Sequence, residues 1–236
     1  MRAAIFGGSG GIGKALAEAL VADGRYSRIF AGSRNGDVPE GAQGFRFDLT
    51  DETSIAAAAR SIGEEGDLDL VIVATGLLHR GDDIRPERGV RSLDGDVMAE
   101  MFAINTIGPA LIAKHTLPLL RRDGRAVMAM LSARVGSIAD NGLGGWHSYR
   151  ASKAALNMLV RNFAIETGRR NRESVIIALH PGTVDSALSE PFQGNLPEGQ
   201  LTAPHDAAAN LLSVIAGLRA EDSGGLFAYD GERIAY

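Results

Sequence analysis

The chain has no cysteine among its 236 residues, which removes disulfides, thiolate catalysis and metal–thiolate sites together. No metal-binding spacing joins its five histidines. No window of about twenty apolar residues stands out, so no membrane span is expected. A strand pattern that runs straight into a glycine loop leaves no room for a cleavable leader, and the expected location is cytoplasmic. Lysine is scarce, at Lys14, Lys114 and Lys153, and no lysine-rich run occurs. With a net charge of −5, nucleic acid and anionic membrane are poor candidates for the main partner. No Pro- or Ser-rich linker divides the chain and no repeat is visible, so residues 1–236 read as one domain.

What is present is a regular alternation. Short apolar runs take turns with helical patterns, the signature of a parallel sheet covered on both faces. Strands are expected at 3–6, 28–31, 43–47, 68–74, 126–131, 175–179 and 226–229, and helices at 11–23, 53–63, 94–120, 148–167 and 205–217. The fold class is α/β, a doubly wound sheet of about seven strands. Polar, Gly/Pro-rich stretches at 80–92 and 186–204 read as loops over the carboxyl ends of the strands, where such sheets bind ligands.

Two motifs carry chemistry. Between the first strand and the first helix lies Gly7-Gly8-Ser9-Gly10-Gly11-Ile12-Gly13. Strand, glycine turn and helix in that order present backbone N–H groups and a helix dipole to an anion such as a pyrophosphate. A flexible linker is the plain alternative, but linkers are seldom wedged between a strand and an amphipathic helix. The second motif is Tyr149-Arg150-Ala151-Ser152-Lys153. A spacing of four puts phenol and ammonium on one helical face. The cation favours the phenolate, so the tyrosine proton is expected to move readily near neutral pH. Chance alone supplies such a pair in about one chain in twenty; the glycine loop is the corroboration.

With these motifs the chain resembles the short-chain dehydrogenases/reductases, from residue 5 to residue 236. Within them it resembles the branch of the sniffer carbonyl reductases and C-factor-like proteins. The branch is suggested by Gly136-Ser137-Ile138, Gly144-Gly145-Trp146-His147-Ser148-Tyr149-Arg150, Leu179-His180-Pro181-Gly182 and Phe227-Ala228-Tyr229-Asp230-Gly231. The resemblance implies a Rossmann-type fold and hydride transfer between NADP(H), favoured over NAD(H), and a carbonyl or alcohol. It implies Tyr149 as general acid/base, Lys153 lowering its pKa and holding the nicotinamide ribose, and Asn105 supporting a water relay. The family's serine falls on Ala133; Ser132 is the nearest hydroxyl and is taken to polarise the carbonyl, with Ser137 the other candidate.

For the cofactor, the resemblance implies Gly7, Ser9, Gly10, Gly11, Ile12 and Gly13 at the pyrophosphate. Asp48 and Leu49 belong at the adenine, Ala74 and Gly76 at the ribose, and Pro181, Gly182, Val184 and Ser186 at the nicotinamide and diphosphate. Ser33 stands where NAD-preferring relatives carry an acid, and Arg34 offers a 2′-phosphate a charge-assisted pair. His79, His147 and His180 read as structural. An apolar rim of Leu77, Leu78, Ile138, Trp146 and Phe192 would suit a hydrophobic aldehyde or ketone. Relatives that pair through the helices carrying Asn105 and Tyr149 make a homodimer plausible. Two alternatives remain: a cofactor-binding C-factor-like signalling protein with little turnover, and an epimerase or dehydratase, for which the chain has no room for the larger substrate domain.

Overall fold

The computed structural model describes residues 1–195 and 200–236; the part of the expected loop at 196–199 lies outside the described residues. The chain runs β1 (Arg2–Phe6), α1 (Gly11–Asp23), β2 (Arg28–Ser33), β3 (Gln43–Arg46), α2 (Glu52–Glu64), β4 (Leu70–Val73), α3 (Gly95–Phe102) and α4 (Gly108–Thr116). It continues through β5 (Val127–Leu131), α5 (His147–Gly168), β6 (Val175–His180), β7 (Thr183–Val184), β8 (Leu201–Thr202), α6 (Pro204–Gly217), β9 (Leu226–Ala228) and β10 (Arg233–Ile234). Eight strands form the main sheet in the order β10-β9-β6-β5-β4-β1-β2-β3, with β7 and β8 a separate pair. All pairings in the main sheet are parallel except β9 with β10. The order reverses between β1 and β4, so a crevice opens above their carboxyl ends.

Period-two alternation divides the core. Ala4, Phe6, Val71, Val73, Met128 and Met130 pack on one face with Ile55 and Ile62 of α2, Ile112 of α4, and Leu156 and Val160 of α5. Ala3, Ile5, Leu70, Ile72, Val127 and Ala129 pack on the other with Leu16 and Leu20 of α1 and Leu211 and Ile215 of α6. Because both faces are covered, these strands are apolar throughout rather than alternating with polar residues.

Two expectations need correcting, and the sheet of about seven strands needs only an addition. The helix expected at 94–120 is broken into α3, a π-helical turn at Ala103–Ile107, α4 and a 3-10 turn at Leu117–Leu119. Pro109 has no N–H to give the Asn105 carbonyl four residues back, so the regular ladder cannot pass. The sheet gains β10, which is only two residues long and too short to read from a pattern. Second, the stretch Gly95–Leu119 is, by length and composition alone, long and apolar enough to cross a membrane. In the fold Met101, Asn105, Ile112, Ala113 and Thr116 of this stretch are buried; its apolar side serves the core.

Candidate active site

Gly7, Ala74, Ser132 and Pro181 each come directly after the carboxyl end of a parallel strand or one residue beyond it, so the topology gathers them at one rim. Gly7 has φ +100°, and a Cβ on it would stand 2.7 Å from the Ala74 carbonyl oxygen. A Cβ on Gly13 would overlap the Gly7 carbonyl, and one on Gly8 would lie 2.9 Å from the Ala31 Cβ. Loop and helix therefore approach to a distance only glycine allows. Helix α1 starts at an N-cap glycine, Gly10, with no side-chain cap, which leaves first-turn N–H groups open beside the exposed Ser9, Gly10 and Gly11. Ser186 faces this turn: a Cβ on Gly11 would be 3.2 Å from its Cβ.

At the end of β2, Ser33 is buried and donates its hydroxyl to Asn35 Oδ1 at 2.9 Å, while Arg34 is exposed. Asp48 accepts from the Thr50 N–H at 2.8 Å and from the Thr50 hydroxyl at 2.7 Å. These bonds, with the charge of Arg34 as a smaller contribution, hold its carboxyl below the usual range. Leu49 packs against the backbone at Gly108. Val184 is buried in β7, and Gly182 takes φ +75° beside the Tyr229 ring.

The next layer centres on α5. Lys153 is 3% exposed and donates to the Leu131 carbonyl at 2.9 Å, with its Nζ 5.9 Å from the centre of the Tyr149 ring. Tyr149 is 7% exposed and packs with Leu78, Ile84, Met101 and Ala133. Asn105 is fully buried; its Oδ1 accepts from the Leu77 N–H at 2.8 Å, and its Nδ2 donates to the Leu77 carbonyl at 2.8 Å and the Ser152 hydroxyl at 3.2 Å. The amide thus pins the turn after β4 to the helix that carries Tyr149. A Cβ on Gly76 in that turn would lie 3.5 Å from Asn105 Oδ1 and 3.6 Å from Lys153 Nζ.

Electrostatics correct the expectation of a tyrosine already tuned to neutral pH. Burial raises the Tyr149 pKa above its ordinary 10 and lowers that of Lys153 to about 8. Desolvation disfavours both charged forms, and in this pocket it outweighs the neighbouring ammonium. The phenol therefore keeps its proton.

The serines are placed as follows. Ser132 is 4% exposed and donates to Asn157 Oδ1 at 2.7 Å. Ser137 is buried and donates to the Ala235 carbonyl. Ala133 lines the cavity beside Tyr149. His180 also lines it; burial, aided by the charge of Arg134, pushes its pKa down to about 4 and keeps it neutral.

Ser132, Ala133, Tyr149 and His180 border a cavity of about 1510 Å³. Its wall includes Leu78, Trp146 and Phe192, as expected, but Ile138 points to solvent at 78% exposure and Leu77 packs behind the wall. Sequence reasoning missed one clamp. Glu87, 5% exposed and in the 80–92 loop, accepts from the Ser148 N–H and hydroxyl, while its own carbonyl accepts from the Trp146 N–H at 2.6 Å. A carboxylate from 61 residues away thereby caps the helix bearing Tyr149. Trp146 sits just before that helix at φ 50°, an uncommon conformation for a large side chain. The Gly144-Gly145 pair preceding it, both at φ 66°, was the available signal; nothing local announced Glu87.

A crevice at a sheet's switch point, with buried Tyr149 in its wall and buried Lys153 one helical turn on, defines a dehydrogenase-type α/β domain. A sequence profile of the short chain dehydrogenase family matches residues 2–196, and the chain belongs to that family. It is 35% identical to 1-hydroxy-2-glutathionyl-2-methyl-3-butene dehydrogenase of Rhodococcus sp. (strain AD45) over 185 residues, 78% of this chain and 76% of that protein. It is 39% identical to C-signal of Myxococcus xanthus over 146 residues, 60% of this chain and 82% of that protein. Among solved structures, the NADPH-bound carbonyl reductase from chicken fatty liver matches with a TM-score of 0.85 at 27% identity, covering 100% of this chain and 98% of that one. The carbonyl reductase Sniffer of D. melanogaster shares the fold with a TM-score of 0.86 at 21% identity, over 100% and 99% of the two chains. C-signal and the sniffer protein stand in the branch that the sequence suggested.

Proposed function

We propose that this protein is an NADP-dependent carbonyl reductase, moving hydride between the nicotinamide and a carbonyl or alcohol. The observation that carries the reading is Tyr149, buried in the wall of a cavity that Ile12 beside the glycine turn also lines, with buried Lys153 one helical turn further on. The residues fit a dinucleotide: the turn is stripped of side chains where phosphate must approach, and α1 offers uncapped N–H groups. Gly7, Ser9, Gly10, Gly11, Ile12 and Gly13 would hold the pyrophosphate, and Ser186 would close on it from the other side. Asp48, Leu49, Ala74 and Gly76 would hold the adenosine and ribose, and Pro181, Gly182 and Val184 the nicotinamide end. Arg34, exposed beside a buried Ser33 in place of an acid, favours a 2′-phosphate. When bound, the cofactor supplies the hydride and, oxidised, a positive charge beside the tyrosine.

Tyr149 donates its proton to the carbonyl oxygen in reduction. The phenol is protonated throughout the neutral range and so has the proton to give, and the positive charges of Lys153 and the oxidised cofactor would have to offset the effect of burial for ready transfer. Lys153, held by the Leu131 carbonyl, supplies the adjacent cation and reaches toward the ribose. Asn105 keeps the turn after β4 and α5 in register and would support the water relay. Ser132 is the hydroxyl nearest the substrate oxygen, though its proton is committed to Asn157.

A cavity of about 1510 Å³ exceeds what one small ligand needs, which fits a nicotinamide and a substrate side by side. The test is NADPH and NADH oxidation over a panel of aldehydes, ketones and quinones with Tyr149→Phe beside the wild type. Turnover with NADPH that falls at least about a hundredfold in the variant is expected; undiminished turnover in Tyr149→Phe refutes the assignment. A second reading, a cofactor-binding signalling protein, is favoured by Ala133 in the serine's place and by the C-signal relative. It predicts NADPH binding without turnover.

A further inference from the structure

We propose that the carbonyl compound taken by this site carries an anionic group, a carboxylate or a phosphate, held by Arg88 and Arg150. The proposal rests on the reductase reading for the other end of the substrate. The cavity wall holds four arginines, Arg85, Arg88, Arg134 and Arg150, against two acids, Asp82 and Asp140. Among the described residues, four cations less two anions leaves a surplus of two, on a chain whose net charge is −5. Within the wall the charges are not equally engaged. Arg85 pairs with Asp82, and Arg134 with both Asp140 and Glu232. Among the described residues Arg88 and Arg150 have no carboxylate partner.

Arg150 adjoins Tyr149 on α5. Its Nη1 reaches the Val135 carbonyl at 3.3 Å, while its Nε is shut off from solvent with no acceptor. The Nη1 bond to one neutral carbonyl leaves the guanidinium charge uncompensated where the side chain lines the cavity. The natural local partner is already consumed: Glu87, next to Arg88 in the chain, is buried with its carboxylate on Ser148. The two imidazoles in the wall do not cancel the charge, and His180 is held neutral by burial.

A cleft with low-dielectric walls concentrates such a field, and the planar guanidinium fork matches carboxylate and phosphate oxygens. The same wall carries Leu78, Leu143, Trp146 and Phe192. The structure therefore assigns an amphiphilic substrate, an apolar body between a carbonyl and a negative end, in place of a wholly apolar one.

Trp146 is the chain's single tryptophan and lies in this wall, so its fluorescence reads occupancy without turnover. The probes are acetophenone, 4-acetylbenzoate and 4-acetylphenyl phosphate, titrated against the protein saturated with NADP⁺. At least one anionic ketone is expected to bind about tenfold or more tightly than acetophenone at about 0.05 M ionic strength, and to lose much of that advantage at about 0.5 M. Which anion gains more distinguishes carboxylate from phosphate recognition. Arg88→Gln, in an exposed loop side chain, should cut the advantage severalfold, and the Arg88→Gln/Arg150→Gln pair should nearly abolish it. Arg60→Gln on the outer face of α2 should leave it intact. Equal binding of all three ketones by the wild type, or an advantage that survives loss of both arginines, overturns the proposal. NADPH turnover of the same ketones separates the two claims. Selective binding without turnover removes the reductase reading and leaves the anion site, while turnover without selectivity does the reverse.

Discussion

Replacing Lys153 with methionine removes a buried amine while keeping the volume of its stem, and its effect on stability should depend on pH in a calculable way. Burial brings the Lys153 pKa from 10.5 in the ordinary side chain to about 8. Between those values the unfolded chain holds a proton that the folded chain lacks, so stability rises with pH. Below the folded value the destabilisation is complete. A pKa difference of about 2.5, at about 1.4 kcal/mol each, amounts to about 3 kcal/mol. Integrating the two titrations from about pH 7 to about pH 9.5 releases about 2 kcal/mol of it. In a chain of this size that is about 4–8 °C in Tm. Thermal unfolding of cofactor-free wild type and Lys153→Met, followed by circular dichroism at both pH values, gives the difference of differences. The lost bond to Leu131 enters equally at both and cancels. Tyr149 also cancels: its raised pKa takes stability from both proteins only above about pH 10, where the unfolded phenol ionises. The variant's advantage over wild type should be larger by those degrees at the lower pH. A gap that does not change with pH refutes a desolvated lysine at this position.

Two further outcomes follow from the rim of the site. Ala133→Ser puts a hydroxyl beside Tyr149 that Asn157 does not claim, and kcat for ketone reduction should rise by about tenfold or more. No gain would mean that Ser132 or another donor already serves the oxygen. Arg34→Ala should raise KM for NADPH by about tenfold and leave that for NADH unchanged, as read from initial rates; equal effects on both would remove the 2′-phosphate assignment.

Much of the frame was legible because it depends on local patterns. A buried parallel strand must be apolar on both faces, and a glycine turn between strand and helix has few other uses, so the strands at 3–6 and 28–31 and the turn at 7–13 could be read directly. The Tyr149–Lys153 pair was legible for the same reason: a spacing of four fixes a shared helical face. The break at 103–107 was harder, since the run reads as one apolar helix unless the missing N–H of Pro109 is counted. Ile138 was misjudged because an apolar residue in a loop carries no mark of which way it faces.

The chain's own pattern determined the α/β frame, the strand order's raw material, the glycine turn and the pairing of Tyr149 with Lys153 on one helical face. Those follow from periodicity and backbone chemistry, which act over a few residues. Tertiary structure alone decided that Ser132 is spent on Asn157, that Glu87 caps the helix bearing Tyr149 from a distant loop, and that Arg88 and Arg150 have no carboxylate partner among the described residues. It also decided the sense of the pKa shifts, because desolvation is set by everything packed around a group and not by its neighbours in the chain.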